Sequence, residues 1–195
     1  MSTLDYYRNH AQDFSDGTVA VDFSITQERF LRYLQPGACI LDFGCGSGRD
    51  SRCFAERGYA VTATDGCAEL VELARAHTGL HVRLELFQEL EDVELYDGIW
   101  ACASILHLPP EELVEVLGRL HRALKRGGYL YTSFKYGDFA GESRGRYFTY
   151  LTEHSLTELL AGAPEFEPVE QWVSGDVRPG REGELWLNVI LRRPL

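Results

Sequence analysis

Long apolar runs are missing from this sequence, basic residues are scarce, and no pair of cysteines has C-x-x-C spacing. Without a stretch of about 18 apolar residues no membrane span is expected. Without an N-terminal apolar run no signal peptide is expected. The 19 Lys and Arg against 30 Asp and Glu leave a formal net charge of −11. That balance argues against nucleic acid as the main partner, because phosphate neutralisation supplies most non-specific affinity for it. Cys39, Cys45, Cys53, Cys67 and Cys102 make an odd number. This favours reduced thiols acting as small hydrophobes in a cytoplasmic protein over a metal or redox role. Internal repeats and low-complexity segments are absent as well. What remains is 195 residues, 45% of them hydrophobic, enough for a single domain over 1–195 with a buried core.

The most informative stretch is Ile40 to Asp50. The apolar run from Ala38 to Phe43 reads as a buried strand, followed by a turn with Gly44, Gly46 and Gly48 and a helix pattern from Arg49. Glycines let the backbone turn sharply against a ligand, and the helix start presents unpaired N–H groups. An ordinary strand-to-helix turn uses glycine too, so the second segment decides. Tyr59 to Thr64 reads as another strand and ends at Asp65-Gly66. Asp65 lies about 20 residues past the glycines, where a nucleotide-binding βαβ unit places the acid that holds a ribose diol. The dinucleotide fingerprint is G-x-G-x-x-G, and its last glycine falls on Arg49 here. G-x-G-x-G preceded by Asp42 suits S-adenosylmethionine instead, which has no pyrophosphate and carries a cationic sulfonium.

Ile40 to Asp50 resembles motif I of the class I S-adenosylmethionine-dependent methyltransferases, and Asp65-Gly66 resembles the acid ending their second strand. Phe87-Gln88-Glu89 stands where that family contacts adenine, and Tyr96 to Pro109 is similar to its fourth-strand motif and following loop. Leu124 to Leu130 is similar to its L-K-P-G-G turn, with Arg126 in place of proline. A narrower likeness is to small bacterial methyltransferases of the tellurite-resistance type. The resemblance implies cofactor contacts from Asp42, Gly44, Cys45, Gly46, Arg49, Asp65, Gly66, Phe87, Gln88, Ala101 and Ser104. It also implies seven strands, the last antiparallel.

The rest of the chain alternates. Arg49 to Arg57, Cys67 to His77 and Pro110 to Lys125 read as helices; Leu80 to Phe87, Gly98 to Ala103 and Tyr129 to Phe134 read as strands. Leu113, Val116, Leu117, Leu120 and Leu124 form the apolar stripe of the clearest helix, with Gly127-Gly128 as its cap. Such alternation predicts an α/β fold, a doubly wound and mostly parallel sheet with helices on both faces. Ligands of such sheets bind beyond the strands' carboxyl ends. Residues 135–148 read as a long loop, and Phe166 to Ser174 and Leu185 to Leu191 as two closing strands. Residues 1–36 are expected to form a helical cap over the cofactor cleft, with 37–195 as the core. Tyr7 either closes over the ligand or packs a helix face.

Methyl transfer from a sulfonium requires a nucleophile in line behind the methyl, about 3 Å away, and positioning alone supplies much of the rate. A base is needed only where the nucleophile carries a proton. His107, after the fourth strand, is the candidate catalytic base; packing of the Leu106–Leu108 turn is the alternative. Lys135, Arg144, Arg146, Arg178 and Arg181 lie in the loops expected to rim the substrate side, and Tyr136, Tyr147 and Trp186 either wall the same pocket or pack in the core. Arginine holds oxyanions through a planar fork, so these residues mark an anionic small-molecule substrate unless they are solvated loop charges. The expectation is an S-adenosylmethionine-dependent methyltransferase, monomer or homodimer, with no metal, nucleic-acid or membrane partner. The alternative is a non-catalytic S-adenosylmethionine-binding module.

Overall fold

The structure, a computed structural model, describes residues 2–195. The N-terminal piece forms α1 (Thr3–Asn9), α2 (Ala11–Asp16) and α3 (Ser24–Leu31). Tyr6 and Tyr7 lie on α1, and Ala11 and Phe14 on α2. The break falls at His10, whose Nδ1 and backbone N–H both turn back to Tyr6 O. Ser2 and Asp5 close a reciprocal capping box at the start of α1.

The core strands are β1 (Cys39–Phe43), β2 (Ala60–Asp65), β3 (Val82–Leu84), β4 (Tyr96–Ala101) and β5 (Leu124–Lys135). Between them lie α4 (Arg49–Glu56), α5 (Ala68–Thr78) and α6 (Pro110–Ala123). A hairpin of β6 (Ala140–Ser143) and β7 (Arg146–Thr149), helix α7 (Glu153–Ala161), β8 (Glu167–Gly175) and β9 (Leu185–Arg192) complete the chain. The main sheet has seven strands in the order β3-β2-β1-β4-β5-β9-β8. β9 runs antiparallel to both β5 and β8, and the pairs among β1 to β5 are parallel.

Burial on both faces explains the near-continuous apolar runs. Successive residues of one strand serve opposite layers. Leu41, Ile99 and Leu130 pack with Leu113, Val116, Leu117 and Leu120 of α6. Ile40, Trp100 and Tyr131 pack with Phe30 and Leu31 of α3 and Phe54 of α4. Trp100 stacks on Tyr131 at 4.0 Å. The chain winds outward from β1 to β3 and then returns to β4 beside β1, so the order reverses between β1 and β4. A ligand crevice opens at the carboxyl ends of strands at such a reversal.

Three expectations need correction. Gly127-Gly128 does not cap α6: Leu124 already pairs with Tyr96, and Gly127 (φ +76°) sits in the irregular lead of β5. The third strand is confined to Val82–Leu84 because it lies at the sheet edge with β2 as its one neighbour. Residues 135–148 are not a plain loop. They hold most of the β6–β7 hairpin, turned by Arg144 (φ +50°) and Gly145 (φ +80°), the paired positive values of a two-residue hairpin turn.

Candidate active site

The crevice is a cavity of about 300 Å³, within the range of small-molecule sites. Its floor is the turn after β1. Asp65, at the end of β2, pins that turn: Oδ2 accepts from Gly46 N–H at 2.9 Å and Oδ1 from Cys67 N–H at 2.9 Å. Burial raises the Asp65 pKa, against the pull of those two N–H groups. Gly44 and Gly46 adopt positive φ, and the space above them is tight. A Cβ on Gly44 would fall 2.6 Å from Ser104 Cβ, and one on Gly46 would fall 2.9 Å from the Phe14 ring. Side chains are thus excluded where a ligand lies against backbone.

Asp42 lines the cavity too, and Ser51 Oγ donates to its Oδ2 at 2.5 Å. Burial, then the neighbouring Asp50, push the Asp42 pKa up to about 8. Its ordinary value of 3.8 applies to the unfolded chain, so the fold keeps a proton that the unfolded chain releases. That contribution to stability is complete at low pH and is lost as pH rises toward about 8. Asp42→Asn is therefore expected to lose less stability than the parent between about pH 5 and 8. Urea midpoints across that range check it, and parallel profiles would refute it.

Arg49 reaches the cavity with its guanidinium 4.6 Å over the Phe23 ring. It is locked to Asp50 by Nε at 2.9 Å and Nη2 at 2.8 Å. Burial works against the Arg49 charge, but Asp50 more than offsets it and the pKa is raised. Asp50 also accepts from Gln27 Nε2 at 2.6 Å and Trp100 Nε1 at 2.8 Å. Cys45 and Cys102 face the same space with burial raising both thiols, Cys102 to about 12, so neither is a thiolate.

The opposite wall comes from the N-terminal helices, the loop after β4 and the β6–β7 hairpin. Thr3, Leu4, Tyr7, Phe14, Thr18 and Phe23 line the cavity. Tyr7 Oη donates to His107 Nε2 at 2.9 Å, while His107 Nδ1–H donates to Tyr147 O at 2.7 Å. A carbonyl only accepts, which fixes this tautomer. Burial lowers the His107 pKa to about 4. The ring is neutral at pH 7 with both nitrogens hydrogen-bonded. Burial raises the Tyr7 pKa, against the pull of Arg146, whose Nη1 donates to Tyr7 Oη at 3.3 Å.

Gly66, Phe87, Gln88 and Ser104 line the cavity, and Ser104 Oγ is buried without a hydrogen-bond partner. Phe87 lies 4.8 Å from Phe43, and Gln88 Nε2 donates to Glu112 at 2.7 Å. Ala101 does not line it: its side chain belongs to the core under α6, and Cys102, Ala103 and Ser104 face the cavity instead. Ala103 holds φ +50°, an unfavourable state for a non-glycine residue and one that clusters at functional sites.

Of the expected substrate residues, Lys135, Arg146 and Arg178 line the cavity. Arg178 is already gripped by Asp176, through Nε at 2.9 Å and Nη2 at 2.5 Å. Burial raises the Asp176 carboxyl, yet the Arg178 fork outweighs it and holds the pKa at about 2. Tyr136, Arg144 and Tyr147 stand outside this cavity's lining. Alternation along β7 turns Arg146 and Phe148 inward and Tyr147 away. Tyr136 donates to Glu153 at 2.8 Å, and Arg144 sits exposed at the hairpin tip. Sequence reasoning missed Phe14, Asp50 and Asn188 as cavity residues. Asn188 left a signal, a lone amide inside the apolar run of β9.

Comparison with known proteins agrees with this geometry. Residues 40–128 match the family model of the methyltransferase domain. With the sheet order, the pinned glycine turn and its acid, they make this segment similar to the class I S-adenosylmethionine-dependent methyltransferase domain. The chain is 39% identical over 106 residues to a ubiquinone biosynthesis O-methyltransferase of Xylella fastidiosa, covering 50% of this chain and 42% of that protein. It is 29% identical over 136 residues to a malonyl-[acyl-carrier protein] O-methyltransferase of Salmonella typhimurium, covering 64% and 53%. The chain thus spans about half the length of these curated relatives, or less. Among solved structures, the Burkholderia thailandensis 1,6-didemethyltoxoflavin-N1-methyltransferase, with S-adenosylhomocysteine bound, matches with a TM-score of 0.78. That match has 25% identity over 98% of this chain and 87% of the other. No helix among the described residues is long and apolar enough to cross a membrane.

The residues present fit S-adenosylmethionine. Glycines leave bare backbone, Ser104 Oγ lacks a partner, and Asp42, Asp65, Phe14 and Phe87 share the lining. Acid and aromatic faces together suit a cationic ligand with an aromatic base.

Proposed function

We propose that this chain transfers a methyl group to a hydroxyl oxygen of a small, anionic acceptor. The observation that carries the reading is one cavity holding both the Asp65-pinned glycine turn and the Tyr7–His107 pair. S-adenosylmethionine, when bound, supplies an electrophilic methyl on its sulfonium. Asp65, Gly46, Gly66, Phe87 and Gln88 would hold its adenosine part, and Asp42, Gly44, Cys45, Arg49 and Ser104 the remainder. Tyr7 commits its own proton to His107 Nε2, so its oxygen is left to accept. It orients the acceptor hydroxyl by taking a hydrogen bond from it. His107, held near pKa 4 with both nitrogens hydrogen-bonded, orients Tyr7, and the displaced proton is released to solvent. The relatives named O-methyltransferases support oxygen as the attacking atom.

The test is transfer of a labelled methyl group to a panel of small hydroxy acids and phosphorylated alcohols, with tellurite and selenite included for the narrower likeness. Turnover of a hydroxyl acceptor is expected, with kcat about tenfold lower in Tyr7→Phe and KM little changed, at or below the low end of acid–base contributions. Tight S-adenosylhomocysteine binding with no transfer to any acceptor would favour the non-catalytic module.

A further inference from the structure

A second cavity, of about 310 Å³, shares Lys135, Arg146, Phe148 and Arg181 with the first. Its charge opposes that of the chain: Lys135, Arg144, Arg146 and Arg181 surround one carboxylate, Glu184. Glu184 is already paired, with Lys135 at 2.5 Å and Arg181 at 3.6 Å. Among the described residues Arg144 and Arg146 form no ion pair, although the chain carries a net charge of −11.

Arg146 is the more telling of the two. Its guanidinium lies 4.4 Å from the Tyr6 ring, 4.9 Å from Phe148 and 5.7 Å from Tyr7. Nε is buried without a partner, and the Nη1 bond to Tyr7 Oη is long at 3.3 Å. A guanidinium offers five donors in a fixed fork that matches an oxyanion. Burying one of those donors without a partner is costly unless an anion completes the fork. The paired positive φ values at Arg144 and Gly145 place the second free cation at the same mouth.

We propose that the second cavity is a subsite for an oxyanionic group of the acceptor, a carboxylate or a phosphate, received by Arg146 with Arg144 beside it. This rests on the reading of the first cavity as the methyl-transfer site. The acceptor is then bipartite: its hydroxyl lies at Tyr7 in the first cavity and its anion in the second, with Arg146 spanning both. Arg178 takes no part, because Asp176 already satisfies it.

The test uses the whole chain saturated with S-adenosylhomocysteine, titrated with inorganic phosphate or acetate against sodium chloride of equal ionic strength. Tryptophan fluorescence is the readout, since Trp186 lines the first cavity beside Lys135. Saturable binding is expected, weakened at least tenfold in Arg146→Gln and threefold to tenfold in Arg144→Gln, and unchanged in Arg52→Gln on exposed α4. Arg144 is exposed at the hairpin tip, so its variant reports even if Arg146→Gln folds poorly. Tighter phosphate than acetate assigns a phosphorylated acceptor, and the reverse a carboxylic one. Non-saturable response, or binding equal in Arg144→Gln, Arg146→Gln and parent, overturns the subsite. Calorimetry with S-adenosylhomocysteine on the same samples separates the two readings. Its failure in the parent removes the first cavity's role, whereas normal cofactor binding without anion binding removes the subsite alone.

Discussion

Asp65→Ala is expected to weaken S-adenosylhomocysteine binding by about 100-fold or more, equivalent to about 2.7 kcal/mol. Both carboxylate oxygens hold backbone N–H groups, Gly46 on one side and Cys67 on the other. A hydrogen bond to a charged group contributes about 1.5–3 kcal/mol, and stranding its buried partner costs more. Alanine would free the glycine turn and remove the acceptor proposed for the ribose hydroxyls. Asp65→Asn is a sharper probe. Each oxygen faces an N–H donor, so the new amide NH₂ must point at one of them. Asparagine therefore keeps the size, loses one contact outright and should fall between parent and alanine. Calorimetry, with circular dichroism to verify folding, decides the matter. Affinity in Asp65→Ala within threefold of the parent would reduce Asp65 to a turn residue and sink its assignment to the cofactor.

The parallel half of the fold was legible because its signals are local. Apolar runs ending in Asp42 or Asp65, and the stripe Leu113 to Leu120, follow from periods of two and 3.6 that neighbours in sequence carry. The β6–β7 hairpin was hidden for a local reason too. Its turn is Arg144-Gly145, and arginine is a poor signal for a left-handed position that asparagine or aspartate usually fills. The side-chain environments at the site were hidden for a different reason. The tautomer and low basicity of His107 depend on Tyr7, 100 residues earlier, and on the carbonyl of Tyr147, 40 residues later. The separation of Arg178 from Arg146 also depends on tertiary placement. One meets Asp176 two residues away, and the other meets only aromatic rings and a phenol. Sequence displayed five basic residues near the substrate side as equals. Their partners sort them into spent charges and available ones.

Asp50→Ala is expected to destabilise the fold by about 3–5 kcal/mol, the cost of stranding one half of a buried ion pair. Its carboxylate collects four donors: Gln27 from α3, Trp100 from β4, and two nitrogens of Arg49. Two of these partners lie 23 and 50 residues away in sequence, so one side chain ties the N-terminal piece, the glycine-turn helix and the central sheet together. At about 2–4 °C per kcal/mol for a chain of this size, Tm should fall by roughly 10 °C. Arg49 would lose its anchor while still facing the cavity, so S-adenosylhomocysteine affinity should drop as well, though less than in Asp65→Ala. The pair Arg49→Met with Asp50→Ala separates charge from packing. Because the stranded cation is gone, the double variant should be more stable than the two single losses sum to, a coupling of about 1 kcal/mol or more. Strict additivity would mean that Arg49 finds solvent when released and that the network matters to Trp100 and Gln27 alone. Strong coupling would mean that this acid acts on the site through Arg49, joining the sheet's stability to the charge presented to the cofactor.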